Sequence, residues 1–409
     1  MASSIYDVFS DHHREGTHPI NLTLGNPHLK PPKLYYQAMA EVLRELQDEA
    51  GNGHGYSTQK DPFGLCHGLA SDLAAHYQAA FRKTDILVTV GATGALDVIL
   101  KTLVRPAIDV LRPSATRREP DEILIIAPYF VEYWNLVHGN GARPVIVPSA
   151  HDFGLDNEAI AKAITPRTRA IIVNSPNNPT GKIYPNESLR ELAQILDEKN
   201  RKIGHRIAVI EDAVYESIVF GDAPPPSMIP HYQTLFRVNS YSKSLSLSGE
   251  RLGYLAVHPE FAPTPEREEL DRALNLNMRA RVVHAPLLQH RVVARLPLRG
   301  LTDVGAYRKN VECLHRTLAA LGFVVARPEG TFYIWAALPD GFRSEAEFRL
   351  GALEGPSPLL YLPGVLFGGD RYDRYVRFSV CVPYPEVERA CLRLREIVAT
   401  SAVNPNVRR

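Results

Sequence analysis

The sequence predicts an α/β fold in which a mostly parallel central sheet is flanked by helices, with a smaller α+β domain beside it. Several short segments are apolar throughout, among them Ile123–Ile126 and Ala170–Val173, which is typical of parallel strands buried on both faces. Amphipathic segments such as Glu187–Glu198 separate these strands, as helices do in an α/β fold. The chain has 409 residues, more than one small core needs, so we expect two joined domains.

Taken in order, the chain begins with a polar segment, residues 1–20, which we predict to be an N-terminal arm. Asn21–Pro27 indicates a short strand that ends in a turn. Apolar runs predict the strands that follow at Ile86–Thr89, Ile123–Ile126, Val145–Val147, Ala170–Val173, Ile207–Ile210, Leu235–Val238 and Leu252–Val257. Apolar periodicity predicts the helices at Tyr35–Gln47, Ala95–Leu103, Glu158–Ile164 and Glu187–Glu198, with a further one near Tyr133.

After about residue 262, longer helices alternate with shorter strands. The helices are predicted at Glu266–Met278, after Pro286, at Thr302–Leu321 and at Pro385–Val398. The strands are predicted at Val324–Val325, Phe332–Trp335 and Val376–Val380. This change of pattern indicates a second domain. We therefore assign residues 46–280 to a large domain, and residues 21–45 together with 281–409 to a small domain.

Composition and charge exclude several classes of protein. The net charge is +1, so no strong field favours nucleic acid or an anionic membrane. No apolar stretch approaches the about 20 residues of a membrane span, and the first residues lack the apolar segment of a secretory signal. The four cysteines show neither metal-ligand spacing nor a disulfide framework. We expect a cytoplasmic protein without a metal, a nucleic-acid partner or a membrane partner.

One segment, Ser240–Gly253, carries the main chemical signal. Lys243 follows an apolar run and stands among hydroxyl side chains. Burial there would lower the pKa of the lysine, and a neutral amine can attack an aldehyde. Arg251, eight residues on, can grip a phosphate with its planar fork. A phosphorylated aldehyde describes pyridoxal 5′-phosphate (PLP), whereas the alternative interpretation is a solvated lysine in a Ser-rich loop.

Four further motifs follow predicted strands, and parallel α/β sheets bind ligands outside the carboxyl ends of their strands. They are Gly91–Gly94, Pro128–Tyr133, Asn174–Gly181 and Asp212–Tyr215. Each has an ordinary interpretation: a glycine turn, core aromatic packing, a Pro/Asn turn and a helix cap. Their succession at strand ends favours a single ligand site over four unrelated features.

In order and spacing these motifs resemble those of the class I/II aminotransferases, which are fold type I PLP-dependent enzymes. The resemblance covers nearly the whole chain after residue 20. It implies that Lys243 forms the Schiff base and shuttles a proton through a quinonoid intermediate. It also implies that Asp212 pairs with the protonated pyridine nitrogen, and that Tyr215 and Asn178 reach the phenolic oxygen of the cofactor.

The same resemblance implies further contacts. It assigns the cofactor phosphate to Ala92, Thr93, Ser240 and Arg251, the face of the pyridine ring to Phe130, and the phosphate of a neighbouring subunit to Tyr56. A homodimer with shared active sites is therefore implied. For the amino-acid substrate it implies Gly25, Asn178 and Arg377, the arginine binding the α-carboxylate. The alternative for Arg377 is a solvent-facing side chain on an alternating strand.

The chain departs from the family pattern after Tyr56. Asp61 stands about where a glycine is expected and Cys66 where an arginine is expected. This loop lies near the substrate entrance in the family, so the departure bears on substrate preference. The sequence also resembles a subgroup of the family that includes PLP enzymes of lincosamide antibiotic assembly. Those enzymes act on a cysteine S-conjugate in secondary metabolism.

Three hypotheses follow. The leading one is an aminotransferase acting on an α-amino acid. The second is a carbon–sulfur lyase or decarboxylating deaminase acting on a cysteine S-conjugate, since PLP activates every bond at Cα. The third is a non-catalytic PLP-fold sensor, which we expect least because about 20 residues before the fold are too few for a DNA-binding domain.

Overall fold

The structure is a computed structural model of the chain and describes residues 18–50, 53–105 and 119–403. Most of the predicted arm, residues 1–17, lies outside the described residues. The strands are β1 Ile20–Asn21, β2 Ile86–Thr89, β3 Glu122–Ala127, β4 Arg143–Pro148, β5 Thr168–Asn174, β6 Ala208–Asp212, β7 Leu235–Ser240, β8 Gly253–Val257, β9 Val324–Val325, β10 Tyr333–Ala337, β11 Leu359–Leu360, β12 Leu362–Pro363 and β13 Tyr375–Ser379. The helices are α1 Lys33–Asp48, α2 Leu65–Tyr77, α3 Gly91–Leu103, α4 Glu132–Gly139, α5 Asn157–Ala163, α6 Asn186–Ile203, α7 Tyr241–Ser244, α8 Thr264–Val282, α9 Leu287–Val293, α10 Val304–Ala320, α11 Glu345–Leu353 and α12 Tyr384–Val403.

The central sheet has seven strands in the order β2-β8-β7-β6-β5-β3-β4. Neighbouring strands from β7 to β4 are parallel, whereas β8 is antiparallel to both of its neighbours. Strands β3, β6 and β7 are buried along their whole length, because helices cover both faces of the sheet. The predicted fold class, a mostly parallel sheet flanked by helices, is confirmed.

A second, antiparallel sheet has four strands in the order β12-β13-β10-β9. It packs against α10 and α12 around a separate hydrophobic cluster that includes Phe332, Phe348 and Phe378. Strand β1 pairs with β11, so the start of the described chain joins this smaller cluster. The smaller α+β unit of the predicted fold is therefore present.

The domain boundaries stay a prediction, because packing does not divide the chain at residues 45 and 280. Val42 on α1 and Val292 on α9 belong to the larger hydrophobic cluster, as does Trp335 on β10. Helices α1 and α9 also contact each other. The larger cluster therefore includes residues from both proposed domains, and β10 contributes side chains to both clusters.

Most predicted elements appear within a few residues of their predicted ends. Helix α6 continues past Glu198 to Ile203 and ends at Gly204, whose φ of 76° suits a helix C-terminus. Three described helices, α2, α7 and α11, were not predicted. Helix α7 is a single turn, and α2 contains a glycine, Gly68, and has a weakly defined apolar face. Among the described residues, no helix combines the length and apolarity that a membrane crossing requires.

Candidate active site

One cavity of about 450 Å³ lies at the carboxyl ends of the parallel strands. Three strand-terminal residues reach it: Asn174 from β5, Asp212 from β6 and Ser240 from β7. The second sheet contributes Tyr333 and Arg377. All but one of the predicted site residues line it, namely Gly25, Ala92, Thr93, Phe130, Asn178, Asp212, Tyr215, Ser240, Lys243, Arg251 and Arg377. The fold thus brings side chains from both hydrophobic clusters to one place.

Lys243 lies on α7, the single helical turn that follows β7. Its amine donates a hydrogen bond to the carbonyl of Gly25 and lies 5.9 Å from the ring centre of Tyr215. Desolvation lowers the pKa of Lys243 to about 8. The lysine is therefore closer to a neutral amine near physiological pH than a solvated lysine is, which is the direction expected from its sequence context.

Gly25 approaches the second sheet so closely that no side chain fits. A Cβ atom built there would lie 1.7 Å from the phenolic oxygen of Tyr333. The absence of a side chain lets the backbone carbonyl of Gly25 face the amine of Lys243. The glycine of this loop is thus required by packing.

Asp212 is a buried carboxylate, only 4% exposed, and makes no ion pair with any described residue. Burial raises its pKa, and a hydrogen bond from the Tyr133 hydroxyl at 2.6 Å acts in the opposite direction. A buried carboxylate is stabilised by a cationic partner. The protonated ring nitrogen of PLP is a group of the right charge for this position.

A site suited to an anion lies where α3 begins. Backbone N–H groups at the start of a helix attract anions, and Ala92, Thr93, Ser240 and Arg251 line the cavity beside this helix start. A Cβ atom on Gly91 would lie 2.8 Å from the Arg251 guanidinium. That guanidinium donates to the carbonyl of Ser248 at 2.7 Å and forms no ion pair with any described residue. This cradle fits a phosphate group.

Arg377 is buried, 3% exposed, so the solvent-facing alternative is wrong for this residue. It donates to the side-chain oxygen of Asn178 at 2.9 Å, and its planar group lies 4.2 Å from the ring centre of Tyr333. Its Nε atom has no hydrogen-bond partner, and no carboxylate pairs with it, among the residues described. A buried guanidinium in this state is a binding group for a carboxylate ligand.

Three aromatic side chains, Tyr215, Tyr333 and Phe130, also line the cavity. The hydroxyls of Tyr215 and Tyr333 lie 3.0 Å apart and share a hydrogen bond. Phe130 is partly buried and meets the ring of Tyr133 edge-on, with centroids 5.5 Å apart. These rings restrict the plane that a flat ligand adopts in the cavity.

Sequence reasoning missed three residues that hold the predicted ones in place. Tyr133 donates to Asp212; Asn174 accepts from the backbone N–H of Asn178 at 2.8 Å and donates to the carbonyl of Asp212 at 3.0 Å. Tyr333 packs against both Gly25 and Tyr215. A signal existed for Asn174 and Tyr133, since both lie in motifs at strand ends. Their common partner Asp212, however, is distant from both along the chain.

The unusual residues after Tyr56 do not line this cavity. The carboxylate of Asp61 accepts backbone N–H groups of Cys66 and His67, both at 3.1 Å, and so caps α2. Cys66 is buried, and desolvation raises its pKa to about 12. Within one chain these residues therefore stabilise the first turn of α2. The expectation that they shape the substrate entrance gains no support.

Tyr56 is the predicted site residue that the cavity does not include. It is 83% exposed and meets the ring of His284 edge-on at 5.7 Å. Its side chain is therefore available to a neighbouring molecule and not to the cavity of its own chain.

Comparison with known proteins agrees with this site. The model of the family described as aminotransferase class I and II matches residues 17–394. The chain is 28% identical over 383 residues to the probable aspartate aminotransferase of Methanocaldococcus jannaschii, covering 92% of this chain and 93% of that protein. It is 27% identical over 390 residues to the aromatic-amino-acid aminotransferase 2 of Thermococcus litoralis, covering 93% and 91%. The crystal structure of an amino transferase from Eubacterium rectale matches with a TM-score of 0.85 at 28% identity, covering 98% and 96% of the two chains.

The fold and the site define an α/β enzyme of fold type I. The chain belongs to the class I and II aminotransferases, a family of PLP-dependent enzymes. The unpaired carboxylate of Asp212, the phosphate cradle at α3 and the amine of Lys243 lie along one cavity, so the residues present fit PLP.

Proposed function

We propose that this enzyme transfers the amino group of an α-amino acid, with Lys243 as the residue that holds PLP covalently and moves the proton. The observation that carries the proposal is the sharing of one cavity by the Lys243 amine, the Asp212 carboxylate and the Arg377 guanidinium. Each of these groups is desolvated, and each lacks an ion-pair partner within the part of the chain that the structure describes. Together they match an aldehyde, a ring cation and a substrate carboxylate.

The cofactor is proposed to lie between α3 and β6. Ala92, Thr93, Ser240 and Arg251 would hold its phosphate, and Asp212 its ring nitrogen. Phe130 would cover the ring, while Asn178 and Tyr215 would hydrogen-bond its phenolic oxygen. When bound, PLP supplies an electron-accepting ring that makes the Cα proton of an amino acid acidic.

Arg377 is proposed to bind the substrate α-carboxylate through a bidentate pair of hydrogen bonds. Asn178 and the carbonyl of Thr23 already hold its planar group in one orientation. Lys243 lines the same cavity as Arg377. Lys243, with its pKa lowered to about 8, would then take the Cα proton as a general base.

A homodimer with shared sites is also proposed. Its support is the exposure of Tyr56 away from its own cavity, together with exposed apolar side chains on α1 and at the end of α8. These side chains are Leu34, Tyr36, Leu43, Leu276, Val282 and Val283. A cytoplasmic location and a role in amino-acid or secondary metabolism stay predictions from sequence.

Absorbance spectroscopy of the purified enzyme with PLP tests the proposal. We expect a panel of α-amino acids to convert the bound cofactor to its pyridoxamine form, with release of a keto acid. The Lys243→Ala variant should bind PLP without this conversion, whereas Lys162→Ala, which changes an exposed lysine, should behave as the wild type. Pyruvate and ammonia from cysteine S-conjugates, without the pyridoxamine form, would contradict transamination and favour the carbon–sulfur lyase.

A further inference from the structure

One charged group of the cavity has no task in the function proposed above. Glu132, the first residue of α4, lines the cavity and is half-buried. Its carboxylate accepts a hydrogen bond from the side chain of Asn135 at 3.0 Å. No lysine, arginine or histidine of the described residues forms an ion pair with it, so none of these residues neutralises its charge.

The other charges of the cavity are all accounted for. Arg251 and the start of α3 match the cofactor phosphate, Arg377 matches the α-carboxylate, Asp212 matches the ring nitrogen, and Lys243 is used covalently. No further arginine or lysine of the described residues lines the cavity. Beyond the groups already assigned, the described lining of the cavity therefore contains one carboxylate, that of Glu132, and no further cation.

This arrangement discriminates by charge. A second carboxylate on the substrate would face Glu132 in a partly desolvated cavity, where repulsion between like charges is stronger than in water. A side chain that ends in a cation or another hydrogen-bond donor would gain a charge-assisted hydrogen bond there. The remaining lining includes polar groups of Asn26, Ser242 and Ser248. It also has apolar surface from Leu24, Leu96 and Val214, which suits the methylene groups of such a side chain.

We propose that Glu132 determines substrate choice, selecting α-amino acids whose side chain ends in a hydrogen-bond donor, cations above all, and rejecting aspartate and glutamate. The proposal rests on the proposed aminotransferase function and names its substrate class. It sets this enzyme apart from relatives named as aspartate aminotransferases.

The activity test compares wild type with Glu132→Gln, which keeps shape and removes charge. In half-reactions with lysine, arginine, norleucine, aspartate and glutamate, we expect the wild type to prefer the basic amino acids. Glu132→Gln should lower kcat/KM about tenfold for lysine and arginine, raise it about tenfold for aspartate and glutamate, and leave norleucine nearly unchanged. The control Glu158→Gln, at an exposed glutamate on α5, should change none of these values.

A binding test does not depend on turnover. Pentanoate, glutarate and 4-guanidinobutanoate are unreactive acids of similar length whose far ends are neutral, negative and positive. Their dissociation constants, from absorbance titration of the PLP-loaded enzyme, should rank 4-guanidinobutanoate tightest and glutarate weakest. In Glu132→Gln this ranking should collapse to within a few-fold.

Wild-type preference for aspartate or glutamate would overturn the proposal. An equal change in kcat/KM for all substrates in Glu132→Gln would also overturn it, and is the result expected if another subunit neutralises Glu132. These failures are distinct from failure of the proposed function. In that case no amino acid produces the pyridoxamine form, whatever the ranking of the three acids.

Discussion

Burial prepares the two ionisable groups that the proposed chemistry uses most. It lowers the pKa of Lys243 to about 8 and raises that of Asp212, so each charged form is disfavoured in the cofactor-free protein. PLP would remove both penalties, since it consumes the amine and supplies a cation to the carboxylate. Lys243 and Asp212 therefore lower the stability of the cofactor-free protein, and both would increase its affinity for the cofactor.

Replacement of Lys243 by methionine tests this trade through its pH dependence. The folded pKa of about 8 lies below the usual value of 10.5, so the unfolded chain takes up the proton first as pH falls. Above pH 10.5 the lysine therefore does not lower the free energy of unfolding. Between pH 10.5 and 8 it lowers this free energy increasingly, and below pH 8 by a constant amount. We expect Lys243→Met to raise the free energy of unfolding of the cofactor-free protein at pH 7, and the gain to fade toward pH 10.5.

Urea unfolding at a series of pH values measures this difference. Lys162→Met, at an exposed lysine, serves as the control and should show no such pH dependence. A gain for Lys243→Met that stays the same from pH 7 to pH 10.5 would mean that methionine packing, and not the removed charge, stabilises the variant.

At the scale of elements, a buried charge network joins β6 and β7 beneath the site. Glu211 and Arg237 are opposite residues of these parallel strands, and their side chains form an ion pair; Arg237 also pairs with Glu216. Glu216 accepts from Asn239 at 2.6 Å, and Asn239 accepts from the backbone N–H of Ser240 at 2.7 Å. The network thus connects the centre of the sheet to the strand end that precedes Lys243.

Arg237→Met should destabilise the protein severely. It leaves the buried carboxylate of Glu211 and the partly buried carboxylate of Glu216 without their cation. Breaking a buried pair costs about 3–5 kcal/mol. Chemical denaturation measures the free energy of unfolding. Adding Glu211→Gln to the variant should restore part of the lost stability. Arg190→Met removes an exposed pair with Glu187 and should cost at most about 1 kcal/mol. A similar small cost for Arg237→Met would show that the network contributes little.

At the scale of the whole molecule, the site lies where two hydrophobic clusters meet. The larger cluster surrounds the seven-stranded sheet, which supplies Asp212 and Ser240; the smaller cluster surrounds the sheet that supplies Tyr333 and Arg377. The cofactor side and the substrate side of the site therefore belong to different parts of the fold. The proposed homodimer would add a third contribution, Tyr56 from a second chain.

A mixed dimer tests that contribution. One chain carries Lys243→Ala and the other Tyr56→Ala, so only one of the two hybrid sites combines an intact lysine with the intact tyrosine of its neighbour. At limiting PLP we expect the purified hybrid to recover about half of the wild-type activity per dimer and to exceed both parent variants. Activity no higher than that of the Tyr56→Ala parent would show that Tyr56 serves its own chain or no site.

Local sequence signals were sufficient for most of the fold and for the residues along the cavity. Apolar runs predicted the strands of the central sheet, and the motifs at their ends predicted the cavity wall from Ala92 to Lys243, because period and turn chemistry are properties of neighbouring residues. Helix α2 escaped this reasoning, since its stability comes from packing and from the Asp61 cap more than from a clear apolar face.

What tertiary structure alone decided are the contacts between distant residues. The burial of Arg377 against Asn178, the hydrogen bond from Tyr133 to Asp212 and the antiparallel pairing of β8 with β2 join segments that lie far apart along the chain. The same holds for Glu132, which has an ordinary helix-start sequence and becomes informative only because it lines the folded cavity without an ion pair to any described residue. Charge, burial and direction at these positions depend on which surfaces meet, and composition and periodicity carry no record of that.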